Sequence, residues 1–227
     1  MELIEGLKPF VASKDASGLS DFLEKTGWGE PALVALLSCT NLTLVRAAVW
    51  CLAHVGSMAA NLPLASVLHH DDSATVELAE NALWSVWLRG APPPLHKRLC
   101  AAIRLTEQDC LDKALAEMDA ITADCPDYAE AFDQRAIARF LKSDYNGASD
   151  DYQRACGLNP VHFGALAGVA HCHAALGRYQ DALNVYRSVL SIHPRMEGIR
   201  QAIDQIKRMV DLAGGHTGRV PTFRAVS

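Results

Sequence analysis

The sequence predicts an all-α chain built as two successive arrays of paired helices, and three observations carry that prediction. Pro126, Pro160 and Pro194 are equally spaced. In the first half, "NLTLVRAAVWCLAHVG" from Asn41 returns as "DSATVELAENALWSVW" from Asp72, an offset of 31. Between the two patterns lies "RGAPPPL", Arg89 to Leu95. Self-similarity at such periods is the signature of helical-repeat architecture, in which each unit buries its apolar face only against its neighbours. The proline run favours a stiff extended spacer and a helix break. It sets the boundary between a unit over 1–90 and a unit over 91–213, followed by a tail over 214–227.

In the second half each proline closes a repeat, because proline lacks an N–H and disfavours helix at the residue before it. Twelve residues ahead of the prolines stand Ala114, Ala148 and Ala182; eight ahead stand Met118, Tyr152 and Tyr186; five ahead stand Ile121, Ala155 and Val189. Small residues let paired helices approach closely and the large ones fill the gap to the next repeat. "AEAFDQRAIARFLKSDYNGASDDYQRACGLNP" and "FGALAGVAHCHAALGRYQDALNVYRSVLSIHP" follow the pattern best, with Phe132, Ala136 and Tyr145 matched by Leu166, Ala170 and Tyr179. The proline interval and these matches resemble the tetratricopeptide repeat (TPR), whose period is about 34 residues. Repeats are expected at about 95–128, 129–162 and 163–196. "RMEGIRQAIDQIKRMVDLAGG" reads as a capping helix over 197–213, with an apolar stripe of Ile199, Ile203, Ile206 and Val210 ended by Gly214 and Gly215. The tail "HTGRVPTFRAVS" has no period.

In the first half the offset pairs Val45 with Val76, Ala48 with Ala79, Cys51 with Ala82 and Leu52 with Leu83. Asn41 and Asp72 suit helix N-caps, where a side-chain oxygen accepts an orphan backbone N–H. A shorter apolar helix precedes each, "PALVALLSC" and "NLPLASVLHH", and "SGLSDFLEKTG" reads as a cap. The piece "VRAAVWCLAHVG" resembles the HEAT repeat in a short form; a generic helical bundle is the alternative for this half. Trp84 and Trp87 are expected to pack the junction with the second half. The whole is similar to bacterial HEAT–TPR proteins. That resemblance implies a right-handed helical solenoid, a short HEAT-like array followed by three TPR repeats and a capping helix.

Composition bounds the function. Half of the 227 residues are apolar and 21% are charged, as in ordinary globular domains. The net charge of −5 is uneven: residues 1–90 hold five Lys/Arg against ten Asp/Glu. No basic stripe for nucleic acid or an anionic membrane is present. No apolar run approaches the roughly 18 residues of a membrane helix, and "MELIEGLKPF" lacks the layout of a secretory signal. A cytoplasmic location is expected. The seven cysteines are odd in number and lack a CxxC, so reduced, buried thiols are expected rather than disulfides.

The reactive-looking residues read as structural. His171, Cys172 and His173 lie on one helix, where positions i and i+2 point about 200° apart, so they cannot close on one metal ion. "HHDD", His69 to Asp72, falls at a helix end and the next N-cap. The runs "SDD" and "DYQRA" on second helices read as a solvated face. No nucleotide loop or nucleophile elbow occurs, and neither a cofactor nor enzymatic activity is expected. Some short HEAT-like repeat proteins resemble bilin lyases, but no corresponding Cys or acid site is identifiable.

The TPR resemblance implies a concave groove lined by successive first helices. By analogy the lining positions are His96, Leu99, Cys100, Ile103 and Thr106; then Glu130, Asp133, Gln134, Ile137 and Phe140; then Gly164, Ala167, Gly168, His171 and Ala174. Chaperone-adaptor TPRs hold an acidic peptide terminus with a clamp of Lys, Asn and Arg. Here those places carry Leu99, Ile103, Gln134, Gly164 and Gly168, so that clamp is absent. The expected ligand is a protein partner's peptide or helix, with apolar anchors and a preference for basic character at Glu130 and Asp133. Gly164, Ala167 and Gly168 are expected to leave room for bulky groups, and His171 to gain charge near neutral pH. Self-association is the alternative role.

Overall fold

The computed structural model describes residues 2–13 and 15–215, so the tail beyond Gly215 lies outside the described residues. All regular structure among them is helical. The chain divides into two compact units, Met1–Gly90 and Ala91–Ser227.

The first unit holds α1 (Glu2–Ser13), α2 (Ala16–Lys25), α3 (Glu30–Leu36), α4 (Leu42–Val55), α5 (Asn61–Val67) and α6 (Ser73–Leu88), with a 3-10 turn over Met58–Ala60. The starts of α3 and α5 differ by the same offset as those of α4 and α6, the offset of the sequence recurrence. Asn41 Oδ1 accepts from Thr43 and Leu44 N–H, and Asp72 Oδ2 accepts from Thr75 N–H, as the N-cap reading required. The four aligned pairs, from Val45 and Val76 to Leu52 and Leu83, are all at most 3% exposed. They lie on α4 and α6, which pack against each other; each large apolar side chain so buried is worth about 1.5–3 kcal/mol.

Long-range polar contacts finish this unit. Arg46 Nη2 pairs with Asp72 at 2.7 Å and its Nε donates to Thr75 Oγ1 at 3.0 Å. The Arg89 guanidinium reaches back to the last carbonyls of α4, donating to Ala53 O at 2.7 Å and Gly56 O at 3.2 Å. Ser57 donates from both its N and Oγ to Glu30. Trp87 is 2% exposed, and its indole N–H donates to Asn61 Oδ1 at 2.7 Å. Trp87 is therefore part of this unit's own core, with Trp84 edge-on to it at 4.9 Å.

The second unit holds α7 (Pro93–Glu107), α8 (Leu111–Asp124), α9 (Ala129–Leu141), α10 (Tyr145–Leu158), α11 (Phe163–Ala175), α12 (Tyr179–Ile192) and α13 (Glu197–Gly215). The second helices α8, α10 and α12 start and end in step with the prolines, at the same constant interval. Each ends on an extended residue before the proline: Cys125, Asn159 and His193 have φ of −140°, −135° and −126°, the conformation that a following proline imposes. Ala114, Ala148, Ala182, Ile121, Ala155 and Val189 are fully buried, as are Met118 and Tyr186, with Tyr152 at 6%.

The turns between paired helices repeat as well. Asp109, Ser143 and Gly177 have φ of +58°, +62° and +74°. The next N–H reaches back into the first helix at the same register each time: Cys110 to Leu105 O, Asp144 to Arg139 O, Arg178 to His173 O. These are Schellman closures, which need a left-handed residue. Only the third uses glycine, so the first two were not legible as turns of this kind.

Three expectations change. The proline run makes no spacer of its own length: Pro93 and Pro94 open α7, with Pro92 at its N-cap. Proline suits a helix's first turn, where its missing N–H has no intrahelical partner. In α13 the buried stripe is Ile199, Ala202, Ile206 and Met209, whereas Val210 is 44% exposed; the helix runs through Gly214 and Gly215. The run "SDD" is not wholly solvated: Asp151 is 4% exposed and takes both Arg135 (2.6 Å) and Arg139 (2.9 Å). Arg135 also bonds Asp119 and Thr122 of α8 and lies 5.3 Å from the Phe132 ring, tying three helices together. Tyr152 of "DYQRA" is likewise core.

Candidate functional site: the first helices of the second unit

The positions expected to line a groove fall on α7, α9 and α11, and several of them are buried rather than open. Leu99 is fully buried, Ala167 is 4% exposed, Glu130 1% and Asp133 2%. Gly168 is buried, while Ile103, Gln134, Ile137, Phe140, Gly164 and His171 are half-buried. Phe140 packs edge-on to Tyr145 at 5.1 Å, and Ile137 and Phe140 lie against a core cluster that includes Ala136, Tyr152 and Cys172.

The space over Gly168 is already filled. A Cβ there would sit 2.3–2.5 Å from the Tyr152 ring, so the missing side chain admits the protein's own α10 rather than a guest. His171 is engaged too. Its Nδ1 and the Tyr186 hydroxyl are 2.6 Å apart, and burial pulls its pKa down to about 4. It therefore stays neutral at physiological pH, contrary to the expectation of a charge near neutrality; desolvation decides this. Cys172 points into the α9–α10 core, fully buried, its thiol pushed up to about 12 by that burial. His171 and Cys172 thus face different surroundings, as the helical spacing required.

Within "HHDD", His70 Nδ1 accepts from Asp72 N–H at 2.9 Å. The Asp72 carboxyl lies well below its ordinary range because Arg46 and Thr75 hydrogen-bond to it. All seven cysteines are free thiols, Cys51 and Cys172 being buried and the others half-buried. The first unit also has an apolar cleft of about 460 Å³ bordered by Ile4, Leu7, Trp50 and Leu78.

One constellation escaped the sequence reading. His162, the N-cap of α11, is 1% exposed. Its Nε2 lies 3.2 Å from Glu130 Oε2, and its Nδ1 accepts from Ala165 N–H at 3.1 Å. Glu130, Asp133 and His162 each bring a polar atom within 4.8 Å of the others. Gln134 Nε2 donates to Glu130 Oε1 at 2.8 Å and approaches Asp133 Oδ2 at 3.5 Å. Burial raises the Asp133 carboxyl to about 7, opposed by His162 and reinforced by the Glu130 charge. Histidine is not a usual N-cap; the only sequence signal was its repeat position, one period after Tyr128, the N-cap of α9.

No protein-family model matches the sequence. The chain is 33% identical over 110 residues to a TPR repeat-containing protein of Rhizobium etli, a match covering 48% of this chain. The chain thus spans about half (49%) of the length of the curated relative it matches. Among solved structures, the Sgt2 TPR domain from Aspergillus fumigatus is similar at a TM-score of 0.53 and 15% identity, over 60% of this chain and 90% of that one. The first TPR of Spaghetti (RPAP3), bound to the HSP90 peptide SRMEEVD, is similar at 0.50 and 19% identity, over 52% of this chain and 93% of that one. These likenesses support a tetratricopeptide-type helical-repeat class.

Proposed function

We propose that the chain is a non-enzymatic interaction scaffold whose α7, α9 and α11 receive a peptide or helix of a protein partner. The observation carrying this reading is the row of half-buried, chemically mixed residues on successive first helices: Ile103, then Gln134, Ile137 and Phe140, then Gly164 and His171. Apolar anchors with a few polar groups suit an amphipathic guest. Peptide binding by the similar Spaghetti TPR supports the reading. The occupants differ, however: Leu99 is buried and Gly168 is covered by Tyr152, so an acidic chaperone tail is not the guest. The first unit is read as a short HEAT-like array, supported by the recurrence of its helix starts at one offset, in a bacterial cytoplasmic protein.

A photo-crosslinking amino acid placed at Gln134 in the native cell should capture a partner that the same residue at Gln153, exposed on α10, does not. Peptides mapped from that partner should bind at least tenfold more weakly to Ile137→Glu, a loss of about 1.4 kcal/mol, with the helical content unchanged by circular dichroism. Crosslinks from Gln153 alone, or equal affinity in the variant, would sink the groove assignment.

A further inference from the structure

Glu130 and Asp133 stand one turn apart on α9, each at most 2% exposed. Among the described residues no lysine or arginine pairs with either one. Two carboxylate charges so poorly solvated carry a large desolvation cost. Something must neutralise one of them: the His162 ring as a cation, a metal ion, or a proton on a carboxyl group.

The ring geometry selects among these. His162 Nδ1 accepts the Ala165 N–H, which requires a lone pair on Nδ1. The single ring proton then resides on Nε2 and is donated to Glu130 Oε2 at 3.2 Å. An imidazolium would turn an N–H against the Ala165 N–H and undo the N-cap of α11. A metal ion at Nε2 would need the lone pair that this tautomer lacks there, and would force the same clash at Nδ1.

We propose that Asp133 holds its carboxyl proton up to near-neutral pH beside an ionised Glu130, making the junction of the second and third repeats a proton-controlled element. Glu130 is then the one charged acceptor, held by His162 Nε2–H and Gln134 Nε2–H. Proton loss from Asp133 to solvent would place a second negative charge in this buried site.

The electrostatics agree in direction. Burial lifts Asp133. At His162 burial works downward, but Asp133 and Glu130 outweigh it and the net direction is up. Both shifts mean that the folded cluster holds protons to higher pH than the separate groups would, and the Nδ1 contact assigns the proton to the carboxyl. The other titratable groups facing the cluster are neutral: Tyr152 and Cys156 from α10 and Tyr128 ahead of α9, all raised by burial.

The consequence has a definite sign. Between about pH 4 and pH 7 the unfolded Asp133 is ionised while the folded one is not, so the folded state binds the extra proton. Stability from this site therefore falls as pH rises through that window and levels off above it. His171, lowered to about 4, acts oppositely, since its unfolded ring gains a proton below about 6.5 while the folded one does not. The wild-type curve alone would blend the two, so the test is a difference.

Urea unfolding of the full chain, wild type against Asp133→Asn, should show the variant gaining relative stability from pH 4 to pH 7 and holding that gain above it. In the wild type, the 13C resonance of the Asp133 carboxyl should titrate with a midpoint near 7, and imidazole 15N shifts should report a neutral Nε2–H ring at His162. This second measurement stands even if the variant fails to fold. A carboxyl midpoint near 4, a pH-independent difference between the proteins, or an imidazolium at His162 at neutral pH would overturn the proposal. So would tight 1:1 zinc binding by wild type that is lost in Asp133→Asn, which would establish a metal site instead.

Discussion

The two units bury their polar groups in different ways. In the first unit the N-caps Asn41 and Asp72 recur, but its long-range polar contacts are single: Trp87 on Asn61, Arg89 on the end of α4, Glu30 on Ser57. In residues 91–215 the backbone devices recur once per repeat, as the pre-proline caps at Cys125, Asn159 and His193 and the left-handed closures at Asp109, Ser143 and Gly177. Side chains such as Arg135, with Asp119 and Asp151, still link successive helices there, but a strict period lets each turn satisfy its own orphan backbone groups. Shorter helices such as α3 and α5, seven residues each, cannot do so, and side chains distant in sequence complete this unit.

Substitutions put that contrast to the test. The largest effect should come from Trp87→Ala, which empties a core site and removes the Asn61 bond; a loss of about 3–5 kcal/mol in urea unfolding is expected. Next stands Gly168→Ala, small on paper but directed at the Tyr152 ring. It should cost about 1–3 kcal/mol by overpacking, and Tyr152→Leu in the same chain should recover part of it. Arg89→Gln withdraws charged donors from the α4 carbonyls and should lower stability by about 1–3 kcal/mol. Additivity of this loss with Gly168→Ala would show that the devices of the two units are energetically separate. The smallest change should be a gain: Ser143→Gly relieves a left-handed non-glycine residue and should stabilise by about 0.5–1 kcal/mol, measured as a rise in melting temperature. A loss there would mean that the Ser143 side chain, 3.5 Å from the Tyr145 hydroxyl, matters more than its backbone.

Much of the helical layout was legible. The N-caps at Asn41 and Asp72, the buried alanines and the proline-ended helices rest on local chemistry or on periodicity, which a sequence displays directly. The candidate site was legible only as a set of positions. Which of them face a free surface depends on rotamers and on neighbouring helices: nothing in "FGALAGVAHCHA" announces that Tyr152 occupies the room at Gly168 or that Tyr186 takes up His171. Asp151 reads as solvated for the same reason, since its partners Arg135 and Arg139 lie on another helix, α9.

Sequence alone carries the repeat periods, the N-caps at Asn41 and Asp72, the proline-ended helices and the lack of a basic stripe, because these follow from backbone restriction, capping chemistry and charge count. Only the tertiary structure decided the ionisation of the buried groups. His162 at the N-cap of α11 meets Glu130 of α9, 32 residues earlier in the chain, and the desolvation that lifts Asp133 and lowers His171 exists only once the helices have closed around them.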